Sequence, residues 1–125
     1  MIYKDDTDYS QSWRLVELGV PERTASRDHA SWPTGWEGGR EIPCWTLTDL
    51  LALLPLAIRH DLFWLRIRPH RLEGERMWVV EYEYLGRALD TLMVHAVEIV
   101  DAVYLMVVRL IELGHLKFDG DGQEG

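Results

Sequence analysis

His95, Glu98 and Asp101 recur at steps of three toward the C-terminal end of the chain. On a helix they would share one side, and an imidazole with two carboxylates is a donor set that suits zinc or manganese. A working site of this kind draws further ligands from a second element, and the sequence offers no clear donor pair elsewhere. The three therefore read as a solvated polar stripe, with no metal expected. The single cysteine, Cys44, has His29 and His60 as conceivable bases, but no catalytic signature surrounds it. Between Pro43 and Trp45 it is expected to pack as a small apolar side chain. Asp119 and Asp121 resemble the opening of a calcium loop, but the Glu that closes such a loop does not follow. A phosphate-cradling glycine loop after a strand, a nucleophile elbow and a paired-carboxylate motif are also missing. The expectation is a protein with no catalytic residues and no cofactor, not an enzyme.

Binding chemistry is better represented. The segment 26–43, SRDHASWPTGWEGGREIP, holds two tryptophans, Gly38-Gly39 and two prolines without any regular period. Aperiodic loops of this length in a compact domain are usually functional or mobile. Trp32, Trp36 and Arg40 are suited to stacking on a planar ligand or anchoring a protein contact, with His29 and Arg27 adding polar contacts. The competing reading has Trp32 and Trp36 folding back as a lid on the core. A second patch is Arg66 and Arg68 beside Trp64, and Arg27 or Arg66 is the source of positive charge for an anionic ligand enclosed by Trp32, Trp36 and Arg40. Against that patch stands the pairing of Arg66 and Arg68 with Glu81 and Glu83 across a hairpin.

The elements that must position these residues follow from period and punctuation. Residues 1–9 are expected to fray. Ser10 is placed as the N-cap of a short helix over 11–18, with Gly19 at its C-terminal cap. Pro21 opens a further turn through Glu22, Arg23 and Thr24. Thr46 with Asp49 matches a capping box, and the apolar run that follows predicts a buried helix toward Ile58, ended or kinked near Leu54 by Pro55. Two alternating runs, 62–68 and 77–84, predict an antiparallel hairpin. Phe63, Leu65, Ile67, Trp78, Val80 and Tyr82 then face one way, and Arg66, Arg68, Glu81 and Glu83 the other. The run 88–113 is predicted as one long helix, apolar except for a stripe, packed on the hairpin and ended by Gly114. The tail 117–125 is expected to be disordered. The fold class is thus α+β: short helix, long loop, helix, hairpin, long C-terminal helix, all in one domain over 10–116.

At 125 residues the chain has the size of one domain, and its 47% apolar content fits a folded core without staples. A net charge of −8 disfavours nucleic-acid backbones, so no DNA partner is expected. Asp90, His95, Glu98, Asp101 and Arg109 exclude 88–113 as a membrane span. The acidic, polar N-terminus is not a signal peptide, and one cysteine points to a reducing compartment. The apolar circumference of the final helix exceeds what two strands and two short helices obviously cover. Self-association as a two-fold dimer is expected from it, with a different protein or the chain's own N-terminal helix as other covers.

Three stretches, QSWRLVELGVPERTA, IPCWTLTDLLALLP and AVEIVDAVYLMVVRLIELGHL, with the strand Trp78-Val79-Val80-Glu81-Tyr82, give the chain a likeness. It resembles a group of small uncharacterised proteins encoded by phages, prophages and mobile elements of gut Bacteroidales bacteria, over most of residues 10–116. The long loop at 26–43 is a departure from that pattern. The resemblance implies the cytoplasm of a bacterial host and an accessory role, and it transfers no catalytic residue. The reading that follows is a non-catalytic inhibitor or adaptor that binds a host protein, as in antagonism of a defence factor. The alternative is a small-ligand sponge for a nucleotide-type signal.

Overall fold

A computed structural model of the chain describes residues 4–27 and 42–118. The first helix, α1, spans Tyr9–Glu17. Its N-cap is Asp8 and not Ser10: the Asp8 carboxylate accepts the Gln11 N–H at 2.8 Å, and the Gln11 side chain accepts the Asp8 N–H at 3.1 Å. That reciprocal box satisfies two orphan donors, leaving Ser10 inside the first turn. The segment expected to fray is anchored from residue 4 onward. Thr7 is fully buried and its N–H donates to the Trp45 carbonyl at 2.8 Å. Asp6 bridges Thr46, and Lys4 reaches Asp101 at 2.7 Å.

After a 3-10 turn at Glu22–Thr24, helix α2 covers Leu47–Leu53. Thr46 and Asp49 form the expected capping box, with Thr46 Oγ1 accepting the Asp49 N–H and Asp49 Oδ2 the Thr46 N–H. The helix stops ahead of Pro55. The chain beyond it is extended, so Ala57–Ile58 form a short strand, β1, instead of a last helical turn.

Strand β2, Phe63–Leu72, and strand β3, Glu75–Tyr84, make the antiparallel hairpin. Both run further than the sequence suggests, because the connection is only Glu73-Gly74, both at positive φ. That is the type I′ geometry whose twist matches the flanking strands.

The largest departure concerns 88–113, which is not one helix. Residues Arg87–Ala96 are a fourth strand, β4, and only Ile99–Leu113 are helical, as α3. A second two-residue turn, Leu85-Gly86, again with both φ positive, returns the chain along β3. The physical reason is tertiary. Val94 pairs with Val80, and Leu92, in a bulge of β4 opposite Tyr82, is buried in the same core, an arrangement that local composition does not reveal.

The sheet order is β1-β2-β3-β4. Helix α3 packs on its inner face, where Val80 and Tyr82 are fully buried and Phe63, Leu65, Ile67 and Trp78 are partly so. This is the face the alternation assigns. The fold is α+β, with three helices and a four-stranded antiparallel sheet among the described residues. Trp45, Leu15 and Leu50 close the core from the helical side. On α3, Val100, Ala102, Val103, Met106, Val107 and Leu110 are all buried within the single chain, so much of its apolar circumference is covered internally. No helix among the described residues is long and apolar enough to cross a membrane.

Candidate interaction surface

The sheet's outer face carries the ionic quartet that strand parity implies. Arg66 stands directly across from Glu81 in register, but each guanidinium reaches diagonally. Arg68 Nε donates to Glu81 Oε2 at 3.0 Å, and Arg66 Nη1 to Glu83 Oε2 at 3.1 Å. Glu81 is only 5% exposed, yet it lies under these arginine stems and not under α3. Gly86, Ala88 and Met93 complete an open hollow of about 400 Å³ around the quartet.

One end of the sheet is apolar. The start of β2, the end of β3, β1 and the Leu85-Gly86 turn all meet there. Of ten exposed large apolar residues among those described, five lie at this end: Leu56, Leu62, Trp64, Tyr84 and Leu85. Trp64 is 54% exposed and Leu85 82%. The Phe63 and Tyr84 rings pack at 5.6 Å, and the Arg59 guanidinium sits 5.3 Å from the Phe63 centroid. Arg59, His60 and Asp61 are consecutive and left-handed, with φ of 56°, 61° and 65°. Non-glycine residues in that region cost roughly 1–2 kcal/mol each.

The residues singled out from the sequence are dispersed. His29, Trp32, Trp36 and Arg40 lie outside the described residues. The base of their loop is described, and it is clamped. Arg27 and Cys44 exchange backbone hydrogen bonds at 3.1 and 3.3 Å, and Asp49 Oδ2 accepts from Ser26 N and Oγ. The Arg27 guanidinium is held by Asp5 and Asp6. Arg66 is held by Glu83, on a different layer of the fold, so the two arginines share no site.

Cys44 is buried. Burial, with Asp6 nearby, pushes its thiol up to about 11, which disfavours the thiolate a nucleophile requires. His60 belongs to the left-handed turn at the far end of α2's exit. His95, Glu98 and Asp101 do not form one helical face. His95 is on β4, Glu98 is the N-cap position of α3, and Asp101 is taken by Lys4 and Gln11 at 2.7 and 2.9 Å. Among the described residues no group of three or more His, Cys, Asp or Glu is placed to hold a metal ion.

Sequence reasoning missed the apolar rim. Its visible trace was Leu85-Gly86 directly after the alternating run 77–84, a dipeptide able to turn the chain with an apolar side chain at the tip. No protein-family model, curated protein or solved structure matches the chain.

Proposed function

We propose that the protein is a non-catalytic binder of another protein, used as an inhibitor or adaptor. The accessory setting implied by the sequence resemblance would make a host factor its target. The observation that carries this reading is the apolar rim at one end of the sheet, centred on Trp64 and Leu85. Exposed apolar side chains gathered at one end of a fold favour contact with another protein, and Trp and Tyr with arginine nearby are the residue types that dominate contact energies. The nucleotide-sponge alternative has less support. Arg27 and Arg66, its candidate charge donors, already hold carboxylates, so an anion would have to break those pairs.

The test compares the wild-type chain with a Trp64→Ser/Leu85→Ser variant. Both residues are exposed, so the fold should persist by circular dichroism. Quantitative cross-linking in a bacterial host should show one or a few partners lost at least tenfold in the variant. An unchanged partner set would refute the rim. A thermal shift with cyclic or linear nucleotides, abolished by Arg66→Ala, would move the assignment to the sponge. Ligand at a hundredfold its dissociation constant should stabilise by about 2.7 kcal/mol.

A further inference from the structure

We propose that the free edge of β4, together with the flank of α3, forms a slot that accepts an extended, carboxylate-bearing segment of a partner protein as an added strand. This rests on the protein-binding reading but uses a surface separate from the rim. Among the described residues strand β4 has a single sheet neighbour, β3. Residues 89–92 bulge out between the Glu83–Ala88 and Glu81–Met93 pairs, and from Met93 to Ala96 the regular ladder leaves the other edge's backbone N–H and C=O groups outward, the template on which extended peptides add. Among the described residues one side chain engages that edge: Arg109 Nη1 donates to the Thr91 carbonyl at 2.9 Å. Beside the edge runs a groove of about 300 Å³ lined by Met93, Val94, His95, Leu105, Val108 and Arg109. Leu105 and Arg109 are four residues apart on α3, so they share a side, and both line the groove. The arrangement offers what a bound strand needs: a row of backbone partners, an apolar wall for alternate side chains, and a charge that fixes register.

The charge decides the chemistry of the occupant. Glu112, at the end of the groove, is already paired with Arg14 at 2.7 Å. Among the described residues Arg109 is thus the groove's cation without a carboxylate, in a chain of net charge −8. A carboxylate offers its guanidinium a charge-assisted hydrogen bond about twice as strong as one to a neutral carbonyl. Exchanging Thr91 for it leaves the Thr91 carbonyl free at the bulge, next to the regular stretch of the edge. A second copy of this chain is the competing occupant, distinguished by the dimer mass and the concentration dependence it would show.

The probe is a library of random nine-residue peptides displayed with free C-termini and selected on the full-length protein. Enriched peptides should alternate apolar residues and carry an acidic residue or terminal carboxylate at a fixed offset. A synthetic representative should lose at least tenfold in affinity with Arg109→Met or Leu105→Asp, both on the surface. It should also lose affinity when alternate peptide nitrogens are methylated, a change that only a backbone ladder registers. Hydrogen exchange of residues 91–95 should slow on binding. The proposal falls if no peptide is enriched, or if affinity ignores Arg109→Met and N-methylation. It also falls if slowed exchange in β4 tracks protein concentration, with a dimer mass by light scattering, which would make a second copy the occupant. Loss of peptide binding through Trp64→Ser but not Arg109→Met would overturn the slot while leaving the rim reading intact.

Discussion

The ionic quartet on the outer sheet face gives a prediction whose size follows from its geometry. Glu81 is nearly buried, while the Arg68 and Arg66 side chains are 31% and 51% exposed. Exposed pairs are worth roughly 0.2–1 kcal/mol, whereas removing one partner of a fully buried pair costs roughly 3–5 kcal/mol. The Arg68–Glu81 pair sits between these limits, so Glu81→Gln should cost about 2 kcal/mol. Arg66, half in solvent, should lose less than about 1 kcal/mol on conversion to Met. In a double-mutant cycle, Arg68→Met with Glu81→Gln should show a coupling of about 1–1.5 kcal/mol, because the two side chains are in direct contact. Unfolding entropy scales with length, so 2 kcal/mol in a domain of this size corresponds to a fall in Tm of about 7 °C. Urea unfolding followed by tryptophan fluorescence measures each corner of the cycle, with an unchanged m-value confirming that compactness is preserved. A coupling under about 0.5 kcal/mol, or a larger loss from Arg66→Met than from Arg68→Met, would refute the assignment of Glu81 as the buried centre. It would equally reopen Arg66 as a free cation for an anionic ligand.

Three further outcomes are expected. Cys44, buried and with its thiol pushed up to about 11, should react with a disulfide reagent at pH 8 far more slowly in the folded protein than in urea; equal rates would place it at the surface. Burial opposes ionisation of Asp49, but hydrogen bonds from Thr46 and Ser26 outweigh it and hold the carboxyl below its usual 3.8. Its stabilisation is therefore complete above that value and lost as pH falls through the lower, folded-state value. Asp49→Ala should cost about 1 kcal/mol at neutral pH, and that difference should shrink below pH 4 in acid-unfolding curves. Leu85→Asn places a residue that tolerates the left-handed region at a φ of 52° and should stabilise the hairpin by about 0.5–1 kcal/mol while weakening partner capture. A gain in both stability and binding would contradict the rim as a contact surface.

What the sequence discloses here is what local chemistry determines. The capping box at Thr46 and Asp49 is readable because both partners lie within four residues. The face assignment of β2 and β3 is readable because a period of two is rigid, and the Arg–Glu pairing follows from parity alone. The strand β4 is not readable in the same way. Residues 88–96 have apolar positions compatible with either period, and the choice is made by Val80 and Tyr82, which need Leu92 and Val94 beside them. The consequence reaches the site. Once Thr91 and His95 belong to an edge strand, the polar stripe dissolves into separate tasks: Asp101 anchors Lys4, Glu112 pairs Arg14, and Arg109 guards the Thr91 carbonyl. The anchoring of residues 4–8 was equally hidden, since Thr7 is buried through contacts with Trp45 and Cys44, nearly forty positions away.

Departures from local preference are concentrated in space. Five non-glycine residues among those described have positive φ, and four of them, Arg59, His60, Asp61 and Leu85, stand at the same end of the sheet. The fifth, Glu73, is an ordinary member of a two-residue hairpin turn. Leucine is a poor choice for a left-handed turn position, and burial offers it no compensation at 82% exposure. Elsewhere the levels agree: the N-caps of α1 and α2 are reciprocal, the inner face is apolar, and the outer charges are paired. A chain that satisfies local rules nearly everywhere and breaks them together at one exposed, apolar edge concentrates its strain where a contact surface would use it. The left-handed residues are the turns that return β1 to β2 and β3 to β4, so folding accounts for their φ, but nothing among the described residues covers the leucine at the tip of the second turn. That asymmetry supports Trp64 and Leu85 over the ionic quartet as the working surface, because the quartet is complete without a partner and the rim is not.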